Sequence, residues 1–256
     1  MWIFLILIGI TLGSIGILLY MIAEAKKWKL VETTFTYTDF PKNLREVRLF
    51  FISDLHKRTV SDKMIEMIQG KADIVLIGGD LVEKGVPFEQ VRNNLRKLKQ
   101  IAPVYFVWGN NDYEVDYHQL DALLLEEGVT ILANTSVSFE SETGDKFNLL
   151  GVDSPTNKRD RLDLALKDSE EGFKVLLSHD PSIMKVIERE HNIRLTLAGH
   201  THGGQIRFGR FGPYEKGGIK ELEETTLLVS NGYGTTLLPF RFGAPAQVHL
   251  ITITSA

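Results

Sequence analysis

Four of the seven histidines in this chain, His56, His179, His200 and His202, stand in or beside short polar clusters that also carry Asp54, Asp80 and Asn110. The clusters read Ser53-Asp54-Leu55-His56, Gly78-Gly79-Asp80, Gly109-Asn110-Asn111-Asp112, Ser178-His179-Asp180 and Gly199-His200-Thr201-His202. Imidazole nitrogen and carboxylate oxygen suit Mn, Fe, Zn or Ni, and one shared carboxylate can hold two such ions about 3.5–4 Å apart. A lone histidine of this kind is more often a structural residue, but the combination with two aspartates and an asparagine points to a metal site. Two cations can polarise phosphoryl oxygens, lower the pKa of a bridging water so that it becomes the nucleophile, and balance charge that builds up in the transition state. The chain has no cysteine, which excludes zinc–thiolate sites, disulfides and thiol nucleophiles.

Such side chains must be delivered to one place, and the sequence supplies a means. Each cluster ends a short apolar run: residues 49–52, 74–77, 104–108, 175–177 and 195–198. These runs read as buried strands alternating with amphipathic stretches, which predicts layered α/β structure. In open α/β sheets ligands bind beyond the carboxyl ends of the strands, so the five tips are expected to converge on one edge. Between them, Ser61 is placed to cap a helix carrying Met64, Ile65 and Ile68, with Gly70 to end it. Phe88, Val91, Leu95 and Leu98 mark a second helix, whose Arg92, Arg96, Lys97 and Lys99 read as a solvated face. Further strands are expected at 146–152 and 225–229 and in the alternating stretch around 247–254.

The amino terminus has a different composition. Residues 2–22 carry no charged side chain, and Ile, Leu and Gly dominate. About 20 apolar residues span a bilayer core, so the run reads as a transmembrane helix; a secretory signal would need a basic segment ahead of it, and only Met1 precedes it. Lys26, Lys27 and Lys29 follow, and the positive-inside rule then orients the remaining chain to the cytoplasm. The expected organisation is an anchor at 1–23, a linker at 24–43 punctuated by Pro41, and one globular domain at 44–256. A net charge of −4 and no long basic stripe argue against a nucleic-acid partner.

The order Asp-x-His, Gly-Asp, Gly-Asn-x-Asp, His, Gly-His-x-His over residues 54–202 resembles the calcineurin-like metallophosphoesterase family. The resemblance implies a four-layer αββα sandwich of two mixed β-sheets. It implies two divalent ions, with Asp54, His56 and His202 on one, Asn110, His179 and His200 on the other, and Asp80 bridging them. The Gly-Gly-Gln at 203–205 and the tail motif Arg241-Phe242-Gly243-Ala244-Pro245 resemble the bacterial membrane-associated branch, which includes enzymes cleaving the pyrophosphate of a UDP-linked diacylated glucosamine. A phosphorylated small molecule or lipid-linked substrate is the expectation that follows, with Arg241 expected to grip a substrate phosphate.

One position departs from the family pattern, which has Gly-Asn-His-Asp where this chain has Gly109-Asn110-Asn111-Asp112. In the family that histidine stabilises the transition state or protonates the leaving oxygen; an asparagine donates a hydrogen bond but supplies no proton. Asn111 and Asp112 are the expected catalytic residues, and the favoured substrates are those with an already acidic leaving group: phosphoanhydrides or aryl-like diesters. The same asparagine motivates a rival reading, a metal-binding regulatory or scaffold protein with weak or no catalysis. Ser178-His179-Asp180 spells the letters of a serine-hydrolase triad, but adjacent residues on an extended segment point apart and cannot form the relay. The paired glycines at 203–204 and 217–218 lack the lysine and spacing of a phosphate-binding loop and read as tight turns.

Overall fold

A computed structural model describes all 256 residues. The elements in chain order are α1 (Trp2–Lys26), β1 (Lys29–Tyr37), β2 (Glu46–Ile52), α2 (Asp62–Ile68), β3 (Ile74–Ile77), α3 (Phe88–Leu98), β4 (Val104–Phe106), α4 (Tyr117–Glu126), β5 (Thr130–Ile131), β6 (Thr135–Glu140), β7 (Lys146–Gly151), α5 (Leu162–Asp168), β8 (Phe173–Leu177), β9 (Ile193–Ala198), β10 (Gly218–Glu221), β11 (Thr226–Val229) and β12 (Gln247–Ser255). The strands form two six-stranded mixed sheets, in the orders β1-β12-β2-β3-β4-β5 and β10-β11-β9-β8-β7-β6. Together they are the two-sheet α/β architecture that the family resemblance implies.

Alternation of side chains along a strand explains the layers. On β2, Leu49 and Phe51 face the second sheet and pack with Phe147, Leu149, Val175 and Leu195, while Phe50 and Ile52 face outward to Met64, Leu95 and Leu124 of α2, α3 and α4. Both sets are fully buried, which is why the run is apolar at every position and does not alternate. The outer face of the second sheet is covered more thinly, by Leu162 and Ala165 of α5 and by Ile183 and Ile187 from a 3-10 segment and its end. α3 and α4 are clamped by Arg92, whose guanidinium lies 2.9 Å from Glu126 and 2.7 Å from Glu127, so the basic face of α3 serves as a helix-to-helix contact.

The amino-terminal region differs from expectation in one respect. Residues 24–43, read as a linker, contain β1, which lies parallel to β12 over the full register from Lys29 opposite Gln247 to Tyr37 opposite Ser255. The domain therefore begins almost immediately after α1. The helix itself has no buried residue and a mean hydropathy of 2.5 over its most apolar window. At about 1.5 Å per residue its length is about 37 Å, enough to cross a bilayer core of about 30 Å.

Candidate metal centre

β2, β3, β4, β8 and β9 run parallel within their sheets and end at one edge, so the five polar clusters that follow them meet there. The chain turns sharply at the ligand positions. Asp54, His56, Asp80, His200 and His202 have φ of 55°, 50°, 49°, 69° and 49°, a left-handed region that residues with a Cβ seldom adopt. Such strain persists only where surroundings enforce it. Here the N–H groups of Asp54 and His56 donate to the carbonyls of Gly79 and Asp80 at 3.0 and 3.1 Å, and Tyr233 and Gly234 donate back to Ser53 and Asp54. Glycine is required where loops cross ligands: a Cβ on Gly109 would sit 2.2 Å from Asp80 Oδ1, and one on Gly199 2.5 Å from Asp54 Oδ2.

Six of the seven expected ligands form two neighbouring groups. In one, Asp54, His56 and His202 offer donor atoms within 4.8 Å of one another, and in the other Asp80, His179 and His200 do the same. His56 Nε2 and His202 Nε2 face each other at 3.0 Å, with Asp54 Oδ1 3.4 Å from the latter. His179 Nε2 lies 3.2 Å from His200 Nδ1 and 3.3 Å from Asp80 Oδ2. That same Asp80 oxygen is 3.7 Å from His56 Nε2, so the carboxylate faces both groups. Asn110 adjoins this centre with a buried Oδ1 that has no hydrogen-bond partner. A buried carbonyl oxygen left unpaired costs free energy, and facing ring nitrogens cannot all be donors to one another. Both observations fit divalent cations as the missing partners.

The electrostatics mark a site that attracts positive charge. Burial works against a charged His179, yet the Asp80 carboxylate drives it up to about 10. Burial also opposes ionisation of Asp80, but His179 and His56 hold it well below the usual carboxylate range. His202 is pushed down to about 3 by burial, with His56 and Arg241 adding to the effect, so its ring remains neutral with a lone pair to offer. The donors are oriented from behind. His179 Nδ1 lies 2.8 Å from the Gly78 carbonyl, so the ring donates outward there and turns Nε2 inward, where a cation would take the place of the proton shared with Asp80. Behind His56, Nδ1 is 3.0 Å from Glu83 Oε2 but out of line for a straight hydrogen bond, and Glu83 is itself paired with Lys57 at 2.6 Å. Sequence reasoning missed Glu83; its only signal was a carboxylate three residues beyond Asp80.

Two expected roles are corrected. Asp112 is fully buried, and its carboxylate accepts the backbone N–H groups of Asp80, Gly109 and Val82 at 2.9, 2.8 and 3.1 Å. Each of these hydrogen bonds is to backbone, so it is a positioning residue that holds the third cluster against the second. Burial, followed by the charge of Asp80, raises its carboxyl to about 7. Arg241 is also fully buried and does not reach the cavity. Its guanidinium donates to the carbonyls of Asn231, Gly234 and Ala244 at 2.7, 2.7 and 2.8 Å, and to Gly232 at 3.2 Å. Those bonds use the donors a substrate phosphate would need, and Nη2 lies 3.5 Å from Nδ1 of His202, placing a fixed positive charge behind that ring.

Asn111, by contrast, lines a cavity of about 420 Å³ that opens over the centre, with Asp80, Asn110, His200, Tyr214 and Leu237 among its walls. Its N–H donates to Asp80 Oδ1 at 2.8 Å and its side-chain oxygen accepts from Asn110 at 3.0 Å. Ser178 Oγ donates to the Asp180 carbonyl and not to an imidazole, as the rejection of a triad requires. His118 stacks on Tyr117 of α4 and is absent from the cavity walls.

With its fold and polar edge in view, the chain belongs to the calcineurin-like phosphoesterase family, a metal-dependent hydrolase family that it matches over residues 47–204. Among its relatives, the uncharacterized protein YpbG of Bacillus subtilis is 40% identical over 247 residues, 95% of each chain. Phosphodiesterase YaeI of Escherichia coli is 27% identical, the match covering 84% of each chain, and a transmembrane protein with metallophosphoesterase domain from Danio rerio is 28% identical over 92% of this chain and 60% of that one. The fold is similar to that of a 5'-nucleotidase precursor from Thermus thermophilus, with a TM-score of 0.51 at 13% identity, covering 81% of this chain and 55% of that structure.

Proposed function

We propose that this chain is a membrane-anchored phosphoesterase that hydrolyses a phosphodiester or phosphoanhydride at a binuclear metal centre. Asp54, His56 and His202 would hold one divalent ion, Asn110, His179 and His200 the other, and Asp80 both. The observation that carries the reading is the unpaired, buried Asn110 oxygen beside two groups of inward-facing donors that share the Asp80 carboxylate. Bound there, two cations supply Lewis-acid polarisation of the phosphoryl oxygens and activation of water.

The protein's own groups do the rest. The Gly78 carbonyl orients His179, the Arg241 charge helps keep His202 neutral, and Glu83 lies beside Nδ1 of His56. Asn111 presents a side-chain amide at the cavity wall, where it can donate to a phosphoryl oxygen, but it has no proton to give a departing alkoxide. The substrate should therefore carry a leaving group that departs as a stable anion, as anhydrides and acidic esters do. Similarity to phosphodiesterase YaeI supports the reaction class. The apolar α1 supports a single-pass anchor, and Lys26, Lys27 and Lys29 favour a cytoplasmic domain.

The full-length chain, purified in detergent, stripped of metal and supplied with Mn, Fe, Zn or Ni in turn, should cleave a chromogenic diester faster than an alkyl monoester. Asp80→Asn should lose at least about 10³-fold of that turnover. Two bound metals without turnover of either ester would favour the regulatory or scaffold role instead.

A further inference from the structure

The wall of the metal cavity that carries no ligand is built from two loop segments, 205–214 and 235–242. They are laced together: Gln205 Nε2 donates to the carbonyls of Thr236 and Leu238 at 3.0 Å each, and Phe242 N–H donates to Gln205 O at 2.9 Å. The inner side of this platform supplies Tyr214, Leu237 and Leu238 to the cavity. Its flank meets the end of α1, where Arg241 N–H donates to Met21 O at 3.1 Å and the ring of Phe242 lies between Tyr20 and Phe208, at centroid distances of 6.0 and 4.9 Å. The rim of the cavity and the outer side of the platform are apolar and uncovered. Phe208, Phe211 and Leu237 are 66%, 69% and 94% exposed, and Leu237 is held at a φ of 58°, an unfavourable backbone for a bulky side chain that gains no packing from it. The cation of Arg210 lies over the Phe211 ring at 5.2 Å, Lys26 closes α1, and Lys27 just beyond it, paired with Glu24, lies 6.0 Å over the Tyr20 ring, so basic groups border the apolar ones.

We infer that this platform is a second membrane contact: Phe208, Phe211, Leu237 and Leu238 enter the headgroup and upper acyl region beside α1, and the metal cavity opens at the bilayer surface. The occupant of the apolar surface is lipid because the surface is continuous with the foot of α1, the segment read as a span, and because its basic border matches a headgroup layer. A phosphoester borne on a membrane lipid then reaches the centre without leaving the bilayer. The inference rests on the proposed anchoring by α1.

The chain has no cysteine, so single cysteines can carry a fluorophore without background. In full-length protein in nanodiscs, the polarity-sensitive dye NBD is attached in turn at Ile10→Cys in α1, at Phe211→Cys and Leu237→Cys in the platform, and at Glu142→Cys in the β6–β7 turn at the opposite end of the strands. Lipid carrying a deep doxyl quencher should reduce emission at Ile10, and lipid carrying a shallow one emission at Phe211 and Leu237, each at least twofold, with Glu142 unchanged by either and Phe211 and Leu237 blue-shifted relative to Glu142. Quenching at Ile10 without quenching at Phe211 and Leu237 overturns the inference and leaves the anchor intact. No quenching at Ile10 refutes the anchor, and the platform contact falls with it.

Discussion

Asn111 and Arg241 divide the chemistry of the centre from its support. With an amide where the family pattern has an imidazole, the rate should depend steeply on the acidity of the leaving group. Asn111→His is expected to raise kcat/KM for alkyl diesters by about 10²-fold while changing aryl diesters little, so that a plot of rate against leaving-group pKa flattens. Arg241 predicts the opposite signature. Arg241→Ala leaves the carbonyls of Asn231, Gly234 and Ala244 without their donor, and should cost about 3–5 kcal/mol in urea unfolding. Arg241→Lys, with a single ammonium in place of a planar fork, should recover only part of that. A substrate clamp would instead raise KM with stability unchanged. The arginine was misread because its sequence position says only that it is near the centre; whether it points at substrate or into backbone depends on the path of residues 231–244, which no local pattern encodes. The convergence of these side chains was legible because His, Asp and Asn behind apolar runs have few other reasons to cluster. Their left-handed backbone was not, since φ is imposed by the neighbouring loop and not by residue type.

At the scale of single elements, β12 and β1 make two further tests. His249 on β12 is nine-tenths buried between strands, neither ring nitrogen has a partner, and burial lowers it from 6.5 to about 4. A histidine whose folded pKa is depressed destabilises the fold as pH falls: stability is flat above about pH 6.5 and declines between there and about pH 4, by about 3 kcal/mol in all. In metal-stripped protein, His249→Leu should remove that part of the decline, measured as the difference between the two proteins in urea at pH 7.5 and 4.5. β1 was taken for linker because it follows an apolar run and precedes Pro41, although Leu30, Val31, Thr33, Thr34, Phe35, Thr36 and Tyr37 are a strand composition. A fragment beginning at residue 28 retains it. One beginning at 44 strips the β12 edge bare and exposes Ile251 and Ile253, and should aggregate on size-exclusion chromatography.

Across the whole molecule, the centre draws donors from both sheets: Asp54, His56, Asp80 and Asn110 follow strands of the first, and His179, His200 and His202 follow strands of the second. Cations held between them would join the sheets at one end, in addition to the apolar layer that joins them along their length. Ligand that binds only the folded state adds RT ln(1 + [L]/Kd), about 4 kcal/mol at 1,000 times Kd. Chelation should therefore lower Tm by several degrees and raise hydrogen exchange at the ends of β4 and β9 more than at the opposite edge. Replacing Glu83 by Gln, which leaves the fold's core untouched, should weaken metal binding by about 10- to 100-fold and shift the chelation curve accordingly.

The position of β12 bears on how such a protein is made. Strand β12 lies between β1 and β2, so β1 has no place in the first sheet until residues 247–255 have left the ribosome. Helix α1, by contrast, is complete within the first 26 residues. With α1 as the proposed anchor, the chain would be tethered by that helix while its domain waits for β12. A message cut short before codon 247 would leave an inserted helix followed by an unclosed sheet, a substrate for membrane proteases and not a partly active enzyme.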